Sequence, residues 1–152
     1  MKIRIENSQN KFKIERNKIR STVSRIFKIL DFADREISIS FTDDAGIKKL
    51  NKQYLGRNKA TNVLSFSLRE GEFGYINPLI MGDIVISLDT AQKDARKSRL
   101  TFEQEVDFLL IHGILHLSGY NHENTSAEEA AKMEKKEKEI FNQIYCRKKV
   151  LI

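Results

Sequence analysis

The run Thr101-Phe102-Glu103-Gln104-Glu105-Val106-Asp107-Phe108-Leu109-Leu110-Ile111-His112-Gly113-Ile114-Leu115-His116-Leu117-Ser118-Gly119-Tyr120-Asn121-His122 decides how the rest of the chain is read. Thr101 followed by Gln104 is a capping box, which opens a helix. From there to Leu117 the residues are apolar on nearly every side, the pattern of a helix buried in a core. Gly119 closes it, since glycine adopts the left-handed conformation that turns a chain back after a helix.

All three histidines of the chain lie in this segment. Two histidines four apart project from one helix face, close enough for both imidazoles to reach a single ion at about 2.0–2.1 Å. The turn at Gly119 lets His122 complete a facial set with His112 and His116. Three neutral nitrogens with an open fourth position predict a catalytic zinc site, one ion per chain, where bound water becomes acidic enough to yield hydroxide near neutral pH. A closed structural site would need a fourth ligand, often Cys, and the lone Cys146 is far along the chain.

The histidine offsets, with glycine at +7, match the metzincin protease motif His-Glu-x-x-His-x-x-Gly-x-x-His, so the segment is expected to form a metzincin-like metal-site helix. Gly113 stands where the protease has its glutamate, and glycine can neither accept nor deliver a proton. Peptide hydrolysis by that route is therefore disfavoured. Gly113 also costs about 1 kcal/mol relative to Ala within a helix, so some neighbour should need the room.

Working outward, Lys2–Glu6 and Ile37–Phe41 alternate with a period of two and predict strands, as do Thr61–Phe66 and Ile80–Leu88. Helical periodicity runs from Phe12 to Leu30, with Arg16, Arg20, Arg25 and Lys28 on a basic outer arc. Further helices are predicted over Ala45–Leu55, N-capped within Thr42-Asp43-Asp44 and ended by Gly56, over Thr90–Lys97, and from about Ser126 onward. In the last of these, Ala130, Met133, Ile140, Phe141 and Ile144 are assigned to the inner face. Residues 69–78, with two glycines and the only proline, are assigned to a loop. Strands mixed with helices, without strict βαβ alternation, predict an α+β (mixed α/β) fold: one small four-stranded sheet packed with about five helices.

A chain of 152 residues, 40% hydrophobic and 32% charged, is one domain's worth, spanning 1–152, with enough apolar surface for a core. One cysteine excludes an internal disulfide framework and favours a reducing compartment. The N-terminus alternates charged and aliphatic residues, unlike an export signal, and no apolar run approaches a membrane span. A soluble, cytoplasmic protein is expected. The net charge of +6 is uneven: residues 1–60 hold 15 Lys+Arg against 7 Asp+Glu. Such an excess serves solubility or a polyanionic partner.

The motif His112-Gly113-Ile114-Leu115-His116-Leu117-Ser118-Gly119-Tyr120-Asn121-His122, with Leu50-Asn51, Tyr54, Thr61-Asn62-Val63-Leu64-Ser65-Phe66 and Met81-Gly82-Asp83-Ile84-Val85-Ile86-Ser87, resembles the YbeY family of bacterial ribosomal RNA maturation factors. The likeness spans roughly residues 36–145. It implies a single-strand-specific, metal-dependent endoribonuclease that matures ribosomal RNA, notably the small-subunit 3′ end, and serves ribosome quality control. It also implies zinc on His112, His116 and His122, with RNA and the ribosome as partners.

The chain departs from the family pattern twice. Leu55 occupies the place of an arginine that follows the family's tyrosine, so that role does not transfer; Arg57 and Lys59 are the nearby cations suited to a developing phosphorane. Asn121 replaces the usual Asp before the last histidine, which removes a charge beside the metal. No general base is identified, Glu123 being the nearest carboxylate in sequence. Two other functions fit the histidines: a non-catalytic ribosome-associated RNA-binding factor pinned by a structural metal, and a metalloprotease-like hydrolase.

Overall fold

A computed structural model of the protein describes residues 2–32, 34–67, 79–120 and 126–145. In chain order the elements are β1 (Lys2–Asn7), α1 (Arg16–Ile29), β2 (Glu36–Thr42), α2 (Asp44–Leu55), β3 (Val63–Ser67), β4 (Ile80–Ser87), α3 (Leu88–Ser98), α4 (Phe102–Leu117) and α5 (Ala127–Tyr145). The expected α+β class forms, with a four-stranded sheet and five helices among the described residues. The strands lie in the order β1-β2-β4-β3. β1, β2 and β4 run parallel, while β3 is an antiparallel edge strand on β4, pairing Val63 with Ile86 through to Ser67 with Gly82.

Alternation along the strands sorts the side chains into two clusters. Ile5, Ile37, Ile39, Phe41, Ile84 and Ile86 join residues of α1, α3, α4 and α5 in the main core. Val85 points the other way and packs with Leu64 and Ile47 of α2. α4 is the central helix of the main core, with Leu110, Ile111, Ile114 and Leu115 fully buried. Its capping box forms as read: Gln104 N–H donates to Thr101 Oγ1 at 3.0 Å, and the Gln104 side chain accepts from Thr101 N–H at 2.9 Å. Gly113 faces the sheet, where a Cβ would come within 2.8 Å of Ile84 Cδ1. Ile84 is the neighbour that needs the room, and it brings the histidine-bearing turn of α4 down onto β4.

α1 begins four residues later than its periodicity predicts. The Gln9 side-chain oxygen accepts from the backbone N–H of Lys11 and Phe12, and its amide donates to Phe12 O, which ties this backbone to a turn. Phe12 stacks on Phe102 with ring centroids 4.9 Å apart. The basic arc of α1 is also partly committed within the fold. Arg16 donates to Ile5 O and Arg25 to Ile144 O.

Asp107, on the core side of α4, accepts from the Tyr145 hydroxyl and is only 5% exposed. Burial raises its carboxyl from 3.8 to about 6, outweighing the lowering effect of the Tyr145 hydrogen bond. Across the window from about pH 4 to 6 the folded protein therefore holds a proton that the unfolded chain has released, and stability falls as pH rises. The Asp107→Asn variant, which keeps an acceptor for Tyr145, is expected to match the parent near pH 4 and to exceed it above pH 6, by at most about 3 kcal/mol. Urea unfolding at both pH values checks this, and an unchanged difference between them would refute it. Glu105, also raised by burial, leaves some pH dependence in the variant.

Candidate functional site

The two described histidines of the motif stand together. His112 and His116 lie one turn apart on α4, with ring centroids 4.8 Å apart and planes at 71°. Both line a cleft of about 250 Å³. α2 contributes Asn51 and Leu55 to it, the segment after α2 contributes Arg57, Lys59, Thr61 and Asn62, and β3 contributes Val63, Leu64 and Ser65. The edge position of β3 is what leaves this side of the sheet open beside α4.

The helix end that aims the chain towards the third histidine is a Schellman motif: Tyr120 N–H donates to Leu115 O and Gly119 N–H to His116 O, with Gly119 at a φ of 108°. His122, Asn121 and Glu123 lie outside the described residues. Among the described residues no group of three or more His, Cys, Asp or Glu gathers at metal-binding distance.

The donor chemistry of the described pair suits a metal. His112 Nδ1 is 2.5 Å from Glu137 Oε1 of α5, and Glu137 is only 5% exposed. A carboxylate on Nδ1 fixes the tautomer and orientation of an imidazole so that Nε2 is the ligating nitrogen, an arrangement common around ligand histidines. The sequence reading missed Glu137. A signal existed: between the inner-face residues Met133 and Ile140 the apolar stripe of α5 skips one turn, and position 137 fills it.

The opposite wall is held in place by hydrogen bonds. Asn51, 2% exposed, donates from Nδ2 to Lys59 O at 3.0 Å, fastening the segment that carries Arg57 and Lys59. Its Oδ1 is buried without a hydrogen-bond partner, a defect costing about 1–3 kcal/mol of the kind folds tolerate at working sites. Asn62 donates its Nδ2 to Asp94 of α3 at 3.1 Å, which makes it an anchor of the wall. Leu55 stands half exposed at the rim, so the cations of this wall are Arg57 and Lys59.

No helix among the described residues is long and apolar enough to cross a membrane. The family model described as endoribonuclease YbeY matches residues 4–145. A protein named endoribonuclease YbeY from Syntrophus aciditrophicus is 52% identical over 141 residues, covering 93% of this chain and 88% of its own. The protein of the same name from Geobacter metallireducens is 44% identical, covering 93% and 94%. The solution structure of TM1509 from Thermotoga maritima superposes with a TM-score of 0.61 at 27% identity, covering 95% of this chain and 93% of that one. With the match running from β1 to the end of α5, and with the two-histidine cleft inside it, this chain belongs to the endoribonuclease YbeY family.

Proposed function

We propose that this chain hydrolyses phosphodiester bonds of single-stranded RNA at a site where His112, His116 and His122 hold one zinc ion per chain. Its substrate is ribosomal RNA during maturation in the cytoplasm, including the small-subunit 3′ end, with a part in ribosome quality control. Residues 1–152 act as one domain in this reading. The observation that carries it is the His112–His116 pair, with Glu137 on the outer nitrogen of His112, facing a wall that bears Arg57 and Lys59.

Bound zinc supplies a Lewis acid for a phosphoryl oxygen and a water acidic enough to ionise near neutral pH. The protein's own groups do the rest. His112, oriented by Glu137, and His116 present nitrogens from a helix packed in the core, so the site is organised before substrate arrives. Arg57 and Lys59 receive the phosphate backbone, and the Asn51 bond to Lys59 O keeps them at the cleft. Gly113 offers no proton acceptor, and Ile84 fills the space beside it, which separates this chemistry from that of the metzincin proteases.

The test is elemental analysis of protein purified without added metal, together with cleavage of a single-stranded RNA and of its duplex. About one zinc per chain, cleavage of the single strand only, and loss of cleavage on chelation with recovery on adding zinc are expected. Unfolding on chelation by a protein that never cut RNA would replace this reading with the structural-metal one. Chelation-sensitive cleavage of casein would replace it with the protease.

A further inference from the structure

The cleft accounts for a phosphate and the reacting bond, but not for an apolar lip beside it. Three large hydrophobic residues stand exposed among the described residues, and two of them, Tyr54 at 60% and Leu55 at 50%, are adjacent at the last turn of α2. Leu55 lines the cleft itself. The Tyr54 ring meets the Phe66 ring of β3 with centroids 5.4 Å apart at 60°, which fixes its orientation while leaving most of its surface to solvent.

Along the chain the surroundings of this lip are basic, the nearest carboxylate given by strand pairing being Asp83, opposite Phe66. Between residues 45 and 60 there are five cations, Lys48, Lys49, Lys52, Arg57 and Lys59, and no Asp or Glu. All five are exposed. Three cations of α1 are engaged within the fold: Arg16 and Arg25 bind backbone carbonyls, and Lys18 pairs with Glu15 and Glu103. The run along α2 and the segment that follows it is the part of the N-terminal charge excess that adjoins the cleft.

We infer that Tyr54 and Leu55 form a stacking platform for an unpaired base of the RNA strand whose phosphate lies in the cleft, with Lys52 and Lys59 holding the backbone on either side. The inference rests on the function proposed above and names a subsite of it. An exposed aromatic ring within a cationic surface is the combination that binds single strands without sequence preference, because every base has a face to stack and every nucleotide has a phosphate. A duplex keeps its base faces buried in its own stack, so only a single strand gains from the lip. Single-strand preference then resides in this platform, separately from the histidines that serve the reacting bond.

The experiment mixes the zinc-loaded protein rapidly with a short single-stranded RNA carrying 2-aminopurine, whose fluorescence is quenched by stacking, and follows the signal before cleavage. Quenching is expected with the parent protein and with Tyr54→Phe, and is lost with Tyr54→Ala. Tyr54→Ala should weaken single-strand binding about tenfold or more, raise KM in parallel, and leave duplex binding and zinc content unchanged. Lys52→Gln should lower the slope of log affinity against log salt by about one. If the parent cuts RNA but Tyr54→Ala matches it in quenching, affinity and KM, the platform is refuted while the nuclease reading stands. The lip would then belong to a protein contact, which a change in sedimentation between parent and variant would reveal. If the parent neither binds nor cuts RNA, the function itself is refuted and the platform with it.

Discussion

Replacing His116 with Ala is expected to empty the site of zinc and to abolish RNA cleavage without unfolding the chain. His116 is half-buried at the cleft, and the residues that hold its helix are others: Leu110, Ile111, Ile114 and Leu115 are fully buried, and the capping box fixes the N-terminus. The far-UV circular dichroism of the variant should therefore match the parent. Four-ligand zinc sites in small proteins are worth about 10–16 kcal/mol, which divides to roughly 3 kcal/mol per ligand. Losing one of three nitrogens on this scale weakens binding by on the order of a hundredfold or more. The remaining pair no longer defines a single geometry, and cleavage should drop by at least about a thousandfold, since any reaction then needs a rare loaded state. Elemental analysis and single-turnover cleavage of a single-stranded RNA measure both quantities. A folded variant that keeps its zinc or cuts at the parental rate would remove His116 from the site.

Local signals foretold what local physics controls. The start of α4 was legible because Thr101 and Gln104 satisfy each other's backbone groups within four residues, whatever the rest of the chain does. The end of α2 was legible for the same reason, Gly56 taking a φ of 69°. The start of α1 was not, because the Gln9 side chain captures the backbone ahead of the helix and Phe12 is drawn to Phe102, a partner ninety residues on. The histidine pair was legible from its spacing on one helix. Its wall was only partly so: Arg57 and Lys59 were named for their charge, yet their placement depends on Asn51 reaching Lys59 O, a contact between a helix and a loop that no periodicity encodes. The basic arc of α1 was legible as an outer face from its periodicity, but not that two of its arginines bind carbonyls of β1 and α5, since those partners lie on other elements.

In the proposed metal site Glu137 acts through His112, whose Nδ1 it holds. It stands between Met133 and Ile140, both fully buried, so α5 holds its carboxylate against His112 by core packing rather than by a flexible surface contact. In Glu137→Leu the ring of His112 loses the carboxylate on Nδ1 that sets its tautomer and restrains its rotation. Zinc affinity is expected to fall about 10–100-fold, the usual consequence of losing such a partner. Glu137→Gln retains an acceptor of nearly the same length without the charge, so its loss should be smaller, and that ordering separates positioning from mere packing. A leucine would satisfy packing at least as well as a glutamine. Competition with a chromogenic chelator reads the affinity directly, independent of any RNA. Cleavage should follow the same ordering at limiting zinc and return towards the parental rate when zinc is in excess. Equal zinc affinities in parent, Gln and Leu variants would show that α5 supports the fold alone and that His112 is oriented by the cleft itself.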